Sequence, residues 1–84
     1  MPISSLSKQF GNAVRNRRAA ACLSQEKLAE KASLHPTYIG MVERGIRNPT
    51  LDVAGRIAKA LKVELPKLIE EAQLKRGGIG GKKG

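Results

Sequence analysis

Between Ser24 and Gly45 the sequence SQEKLAEKASLHPTYIGMVERG gathers side chains suited to binding rather than to making or breaking bonds. Gln25 opens a helical run, so its backbone N–H and its side-chain amide can both meet a phosphate. Thr37 and Met41 are four residues apart and so share one helix face, with Tyr38 beside them and Ile39 and Val42 opposite. Threonine can hydrogen-bond a base edge or pack its methyl on thymine; methionine can only pack. Arg44, Arg47 and Asn48 follow, at and beyond the end of the same run. Reaction chemistry has no comparable set. The chain holds one cysteine, Cys22, and one histidine, His35, with no paired-carboxylate motif, no nucleophile beside a base and no metal-ligand set. The expectation is a binding protein with no catalytic residues, cofactor or metal.

The elements that must position these residues are legible from spacing. Leu28, Ala29 and Ala32 form one stripe at three- and four-residue intervals, which predicts a helix over Gln25–Ala32. Ser24 stands at its N-cap and Glu26 in its first turn. Ser33, Leu34 and His35 interrupt the pattern. Pro36 biases His35 away from helical geometry and suits a first helical position, so a second short helix is predicted over Pro36–Arg44, ended by Gly45. Two short helices across a tight turn form a helix-turn-helix, which lays its second helix in a DNA major groove.

The rest of the chain reads as three more helices. Leu6, Phe10 and Val14 repeat every four residues, with Ala21 extending the stripe, and mark a helix from about Ser5 to Ala20. Thr50 caps a fourth, about 51–62, on Leu51, Ala54, Ile57, Ala58 and Leu61. Leu65, Leu68, Ile69 and Ala72 mark a fifth, opening near Pro66 and ending by Lys75. The fold class expected is all-α, with a DNA-binding domain over 1–76 and a disordered Gly/Lys tail over 77–84.

The run LSQEKLAEKA…TYIGMVERGIRNPTLDVAGRIAKAL resembles the lambda-repressor-like helix-turn-helix regulators, and most closely the controller proteins of restriction–modification systems, over roughly residues 8–70. The resemblance implies a five-helix domain. It places base-reading positions on Pro36, Thr37 and Met41, and phosphate contacts on His35 and Tyr38. The alternative for Met41 is a core gap-filler, and for Tyr38 a cover over the core edge. The first helix of such proteins abuts the DNA backbone, which marks Arg17 or Arg15 for phosphate. Their loop beyond the third helix also touches DNA, which singles out Arg47, with Arg44 and Asn48. Arg44 could instead be a solvated helix-end charge. In the phage repressors the glutamate matching Glu43 pairs with an arginine matching Arg18, so this pair is expected to be structural. Similar proteins often carry glycine where this chain has Cys22. A left-handed conformation kept there would cost on the order of 1 kcal/mol. A buried structural cysteine is the reading. Paired half-sites in the family imply a homodimer, with Leu68 facing inward and Leu65 and Ile69 at the subunit contact. Gly40, mid-helix, is explained either by close approach of DNA or by close packing.

Composition sets the bounds. The chain has 84 residues, room for one small domain. Its net charge of +9 selects polyanions, nucleic acid before anionic membrane. Residues 1–23 carry four bases and no acid, whereas 24–45 balance three bases against three acids, so the positive excess flanks the helix-turn-helix. A lone cysteine fits a reducing compartment, and no apolar run reaches membrane-span length, so a cytoplasmic location is expected. A sequence-specific transcriptional regulator is the leading reading. An antitoxin that binds its own promoter is the alternative.

Overall fold

The helices predicted from spacing form in chain order: α1 Ser5–Ala20, α2 Gln25–Ala32, α3 Pro36–Glu43, α4 Leu51–Ala60 and α5 Leu65–Gly81. The computed structural model describes the backbone of residues 5–81 and the side chains of residues 6–73, and contains no strand among them. α1 packs on α5 and α3, and α2 packs on α3 and α4, so the helix-turn-helix is held on both sides by scaffold helices. The core between them is aliphatic. Val14, Leu28, Ile39, Val42, Ile57 and Leu68 are fully buried, each contributing about 1.5–3 kcal/mol of transfer free energy, with Phe10 and a set of alanines filling the remainder.

Two side-chain caps start helices as their residue types require. Ser24 accepts a hydrogen bond from the Lys27 N–H at 3.0 Å, and Thr50 accepts one from the Val53 N–H at 3.1 Å. The helix ends share a single device. After α1, α2, α3 and α4 a residue turns left-handed: Cys22 (φ 59°), Ser33 (φ 59°), Gly45 (φ 76°) and Lys62 (φ 61°). In each case the next N–H reaches back five residues, as Leu23 to Arg18, Leu34 to Ala29, Ile46 to Met41 and Val63 to Ala58. These are Schellman closures, which satisfy carbonyls the helix leaves without partners. Glycine fills one of the four positions. The other three bear the side-chain penalty of the left-handed region, roughly 1 kcal/mol or more each. At Gly45 space also decides, because a Cβ would stand 2.6 Å from Lys8 Cγ on α1. Gly11 of α1 lies against the α3 backbone, where a Cβ would meet the Val42 carbonyl oxygen at 2.2 Å.

The structure corrects five expectations. Cys22 is exposed, not buried, because the left-handed closure of α1 turns its side chain off the core. Leu51 was assigned to the buried stripe of α4 but is 82% exposed, since it is the first residue of that helix and overhangs the core. Leu6, the second residue of α1, is 45% exposed for the same reason. α4 stops at Ala60 because Lys62 adopts the left-handed conformation. α5 continues past Lys75 to Gly81, so the boundary expected at residue 77 falls within the helix. The arm at residues 1–4 and the end of the expected tail, residues 82–84, lie outside the described residues.

Candidate nucleic-acid interface

The face of α3 divides by burial. Ile39, Gly40, Val42 and Glu43 are buried; Thr37 and Arg44 are exposed; Pro36, Tyr38 and Met41 are half-buried at the margin. Pro36 has no N–H to cap, so the first donor within reach of a side chain at position 35 is that of Thr37. His35 takes it: the Nδ1 atom accepts from the Thr37 N–H at 3.1 Å, which makes His35 the N-cap of α3. An accepting Nδ1 leaves the proton of the neutral ring on Nε2, which is then available as a donor at the rim of the helix. The sequence reading assigned His35 a phosphate contact and missed the cap, because histidine is not among the usual N-cap residues.

Beneath α3 lies a charged knot. Glu43 is 4% exposed and is held from two elements. Arg18 of α1 donates from Nε to Glu43 Oε2 at 2.6 Å and from Nη2 to Oε1 at 3.1 Å. Gln25 of α2 donates from Nε2 to Glu43 Oε1 at 3.0 Å. Arg18 Nη1 donates to the Leu23 carbonyl at 2.8 Å, in the loop before α2. One carboxylate therefore joins α1, α2 and α3. Its hydrogen bonds raise the Arg18 pKa above the ordinary guanidinium value, against the opposing effect of burial. No buried side-chain nitrogen or oxygen is left without a partner among the described residues, which is the condition under which a buried ion pair is tolerated.

Gln25 and Arg44 meet over Gly40. A Cβ on Gly40 would stand 3.3 Å from Arg44 Nη1 and 3.7 Å from Gln25 Oε1. These two side chains are what a side chain at position 40 would meet. Beyond α3 the Arg47 guanidinium lies over the Tyr38 ring, 5.7 Å from its centroid, a cation–π arrangement that draws the loop charge toward α3. The loop is tied down at its next residue, where the Ser7 hydroxyl of α1 donates to Asn48 Oδ1. Gln25, His35, Thr37, Tyr38, Arg44 and Arg47 thus cluster along α3 and its two ends. Arg17 does not join them. Its Nε donates to Glu71 Oε1 of α5 at 2.9 Å and its Nη2 to Oε2, so a phosphate contact would have to displace this pair. The bond to Arg17 lowers the Glu71 pKa, and the same bond raises that of Arg17.

Sequence reasoning passed over two polar side chains. Ser7 lies on the core side of α1, with no signal beyond its register in the helix. Arg56 of α4 donates from Nε to the Ala32 carbonyl at 3.1 Å and from Nη2 to the Ser33 carbonyl, at the close of α2. Its one signal was a basic residue between Ala54 and Ile57 on an otherwise apolar repeat. Among the described residues no group of three or more His, Cys, Asp or Glu side chains could hold a metal ion, and no helix is long and apolar enough to cross a membrane.

Comparison with known proteins gives the family of this fold. The helix-turn-helix family HTH_3 matches residues 14–68. The control protein C.SmaI of Serratia marcescens is 52% identical over 62 residues, 74% of each chain. The control protein C.BamHI of Bacillus amyloliquefaciens is 47% identical over 62 residues, 73% of this chain and 76% of that one. The crystal structure of the restriction–modification controller protein C.AhdI from Aeromonas hydrophila superposes with a TM-score of 0.72 at 42% identity, covering 74% of this chain and 94% of that one.

Proposed function

We propose, since this chain belongs to the helix-turn-helix family HTH_3 and is a DNA-binding transcriptional regulator, that it is a restriction–modification controller protein binding its operator as a homodimer. The observation that carries the DNA-reading part is α3 itself. A helix fixed by a buried carboxylate on its inner side presents Thr37, Tyr38, Met41 and Arg44 along its outer side and rim. In this reading α3 enters the major groove. Gln25 at the start of α2 and His35 through Nε2–H meet phosphates on either side. Arg47, stacked on Tyr38, supplies a cation beyond the end of the helix. Asn48 keeps its loop in place through Ser7. Pro36 and Met41 offer no hydrogen bond to a base, so thymine methyls and DNA deformability carry much of the readout on the helix.

For the dimer surface we propose the largely apolar groove lined by Leu6, Phe10, Pro49, Leu51, Ala54 and Ile69, with Ser7 and Asn48 also on its wall. Ile69, expected at the subunit contact, lines this groove. Leu65, half-buried and packed on the core, lines a separate depression at the α4–α5 corner. Leu51 and Leu6 provide the exposed apolar area that a self-complementary contact would cover.

Selection of binding sites from random duplex DNA by the full-length protein tests the reading. A palindrome is expected whose half-site centres lie about 34 Å apart, or one helical turn. Arg47→Ala should weaken binding to every duplex and flatten the slope of log K against log salt by about one per subunit. Enrichment of no sequence, or of a site without two-fold symmetry, refutes the dimeric regulator. Genes for a DNA methyltransferase and an endonuclease beside this one would support the controller assignment, and a toxin gene in their place would favour an antitoxin.

A further inference from the structure

The charged residues of α4 differ in burial. Asp52 and Lys59 are exposed, whereas Arg56 is half-buried and turned toward the helix-turn-helix. Its guanidinium bridges two successive carbonyls: Nε donates to Ala32 O at 3.1 Å and Nη2 to Ser33 O. Ala32 ends α2, and Ser33 is the left-handed residue that begins the turn into α3. The turn's own amides are already engaged, Ser33 N–H with Glu30 O at 3.2 Å and Leu34 N–H with Ala29 O at 2.8 Å. The carbonyls of Ala32 and Ser33 are therefore gripped from outside the helix-turn-helix, by a planar fork whose donor spacing suits two adjacent oxygens. The positive charge also complements the negative end of the α2 dipole.

We propose that Arg56 is a positioning residue for DNA reading, locking the α2–α3 turn to α4 and so fixing how α3 is presented relative to the dimer groove. The inference rests on the regulator reading above. Its physical basis is that a single ten-residue helix carries both functions. α4 begins at Leu51, which lines the apolar groove, and five residues later grips the turn from which α3 starts. In a two-fold dimer, any rotation of α3 against α4 is repeated in the other subunit, so both half-sites lose register together. Arg56 therefore acts on specificity without touching DNA.

The test compares wild type, Arg56→Met and Arg56→Lys as full-length proteins. Each is titrated with the duplex enriched by wild type and with an unrelated duplex at several salt concentrations, and mapped by amide hydrogen exchange. Arg56→Met is expected to bind the enriched duplex about tenfold or more weakly, the scale of a lost base contact in each half-site. Binding to the unrelated duplex should be unchanged, and the salt slope should move by less than about one. Exchange should quicken over residues 32–38 and remain as in wild type over α1. Arg56→Lys, which keeps the charge but not the fork, should recover thermal stability without recovering the affinity. A slope flattened by about one on both duplexes would make Arg56 a phosphate contact instead. Undiminished affinity, after correction for the folded fraction, would make it a simple helix cap. Wild type that enriches no duplex overturns the regulator reading and this inference together. Wild type that binds while Arg56→Met binds equally well overturns the inference alone.

Discussion

Two regions of the molecule are built on opposite principles. At the α1–α2–α3 junction a buried carboxylate, Glu43, is fully engaged by Arg18 and Gln25, so polar groups are spent on holding the reading helix. At the α1–α4–α5 groove, Leu6, Leu51 and Ile69 form an apolar surface beside the single polar tie of Ser7 to Asn48, and Leu51 is 82% exposed. The first region is complete within one chain. The second is not. The contrast separates residues needed for folding from residues needed for assembly, and substitutions can be chosen to strike one without the other.

The largest effect on folding is expected at Glu43. Replacing it with alanine strands the Arg18 guanidinium at a site where its side chain is 17% exposed, and releases the Gln25 amide. Loss of one partner of a buried pair costs about 3–5 kcal/mol, a large share of the stability of so small a domain. Urea unfolding followed by circular dichroism would read it. Pairing Glu43→Ala with Arg18→Met should recover part of the loss, because no unpaired charge remains. A single-variant loss below about 1 kcal/mol would mean the pair behaves as a surface bridge.

The groove should respond in the opposite way. Leu51→Glu removes a side chain that is already 82% exposed, so the stability of the monomer should change by no more than about 0.5 kcal/mol. A carboxylate in the first turn of α4 even suits the helix dipole, as Asp52 does beside it. Pairing, however, would require burying that charge twice across a two-fold axis. Sedimentation should show a folded monomer that binds a palindrome far more weakly than wild type, and Ile69→Glu should act alike. A Leu51→Glu protein that still sediments as a dimer would move the interface elsewhere.

A third substitution sharpens the contrast within the reading unit itself. His35→Ala removes the acceptor for the Thr37 N–H and should cost about 1 kcal/mol, as for other N-caps. His35→Asn, a better capping residue without the Nε2 donor, should restore stability. If it also restores DNA affinity, His35 is a cap alone; if affinity stays low, the ring also meets DNA.

What could be read from the sequence follows the same division. Helix positions, Ser24, Thr50 and the inward face of α3 were legible, because periodicity and capping are local properties. The pairing of Arg18 with Glu43 came from family resemblance, as no local rule links residues 25 apart. Leu51 misled because helical spacing identifies a face but not where along that face the core stops. Ser33 and Lys62 hid their left-handed turns because the usual glycine is absent, whereas at Cys22 the family resemblance raised the turn that the structure keeps. Arg56 and Ser7 were missed because their partners, the Ala32 and Ser33 carbonyls and Asn48, are set by tertiary packing.

A small effect of opposite sign should come from Gly40, within the polar region. Glycine mid-helix costs up to about 1 kcal/mol against alanine. A Cβ there would come 3.3 Å from Arg44 Nη1, the far end of an exposed and flexible side chain, and only 3.7 Å from Gln25 Oε1. Arg44 can swing away, while Gln25 is held by Glu43 and need not move. Gly40→Ala should therefore stabilise the fold by roughly 0.5–1 kcal/mol, with the thermal midpoint rising accordingly. In the proposed docking the displaced Arg44, at the C-cap of α3, faces DNA, so the same variant should lose operator affinity while gaining stability. A gain in stability with affinity intact would take Arg44 out of the DNA contacts. A loss of stability would show that Arg44 and Gln25 are packed too firmly over the helix to yield.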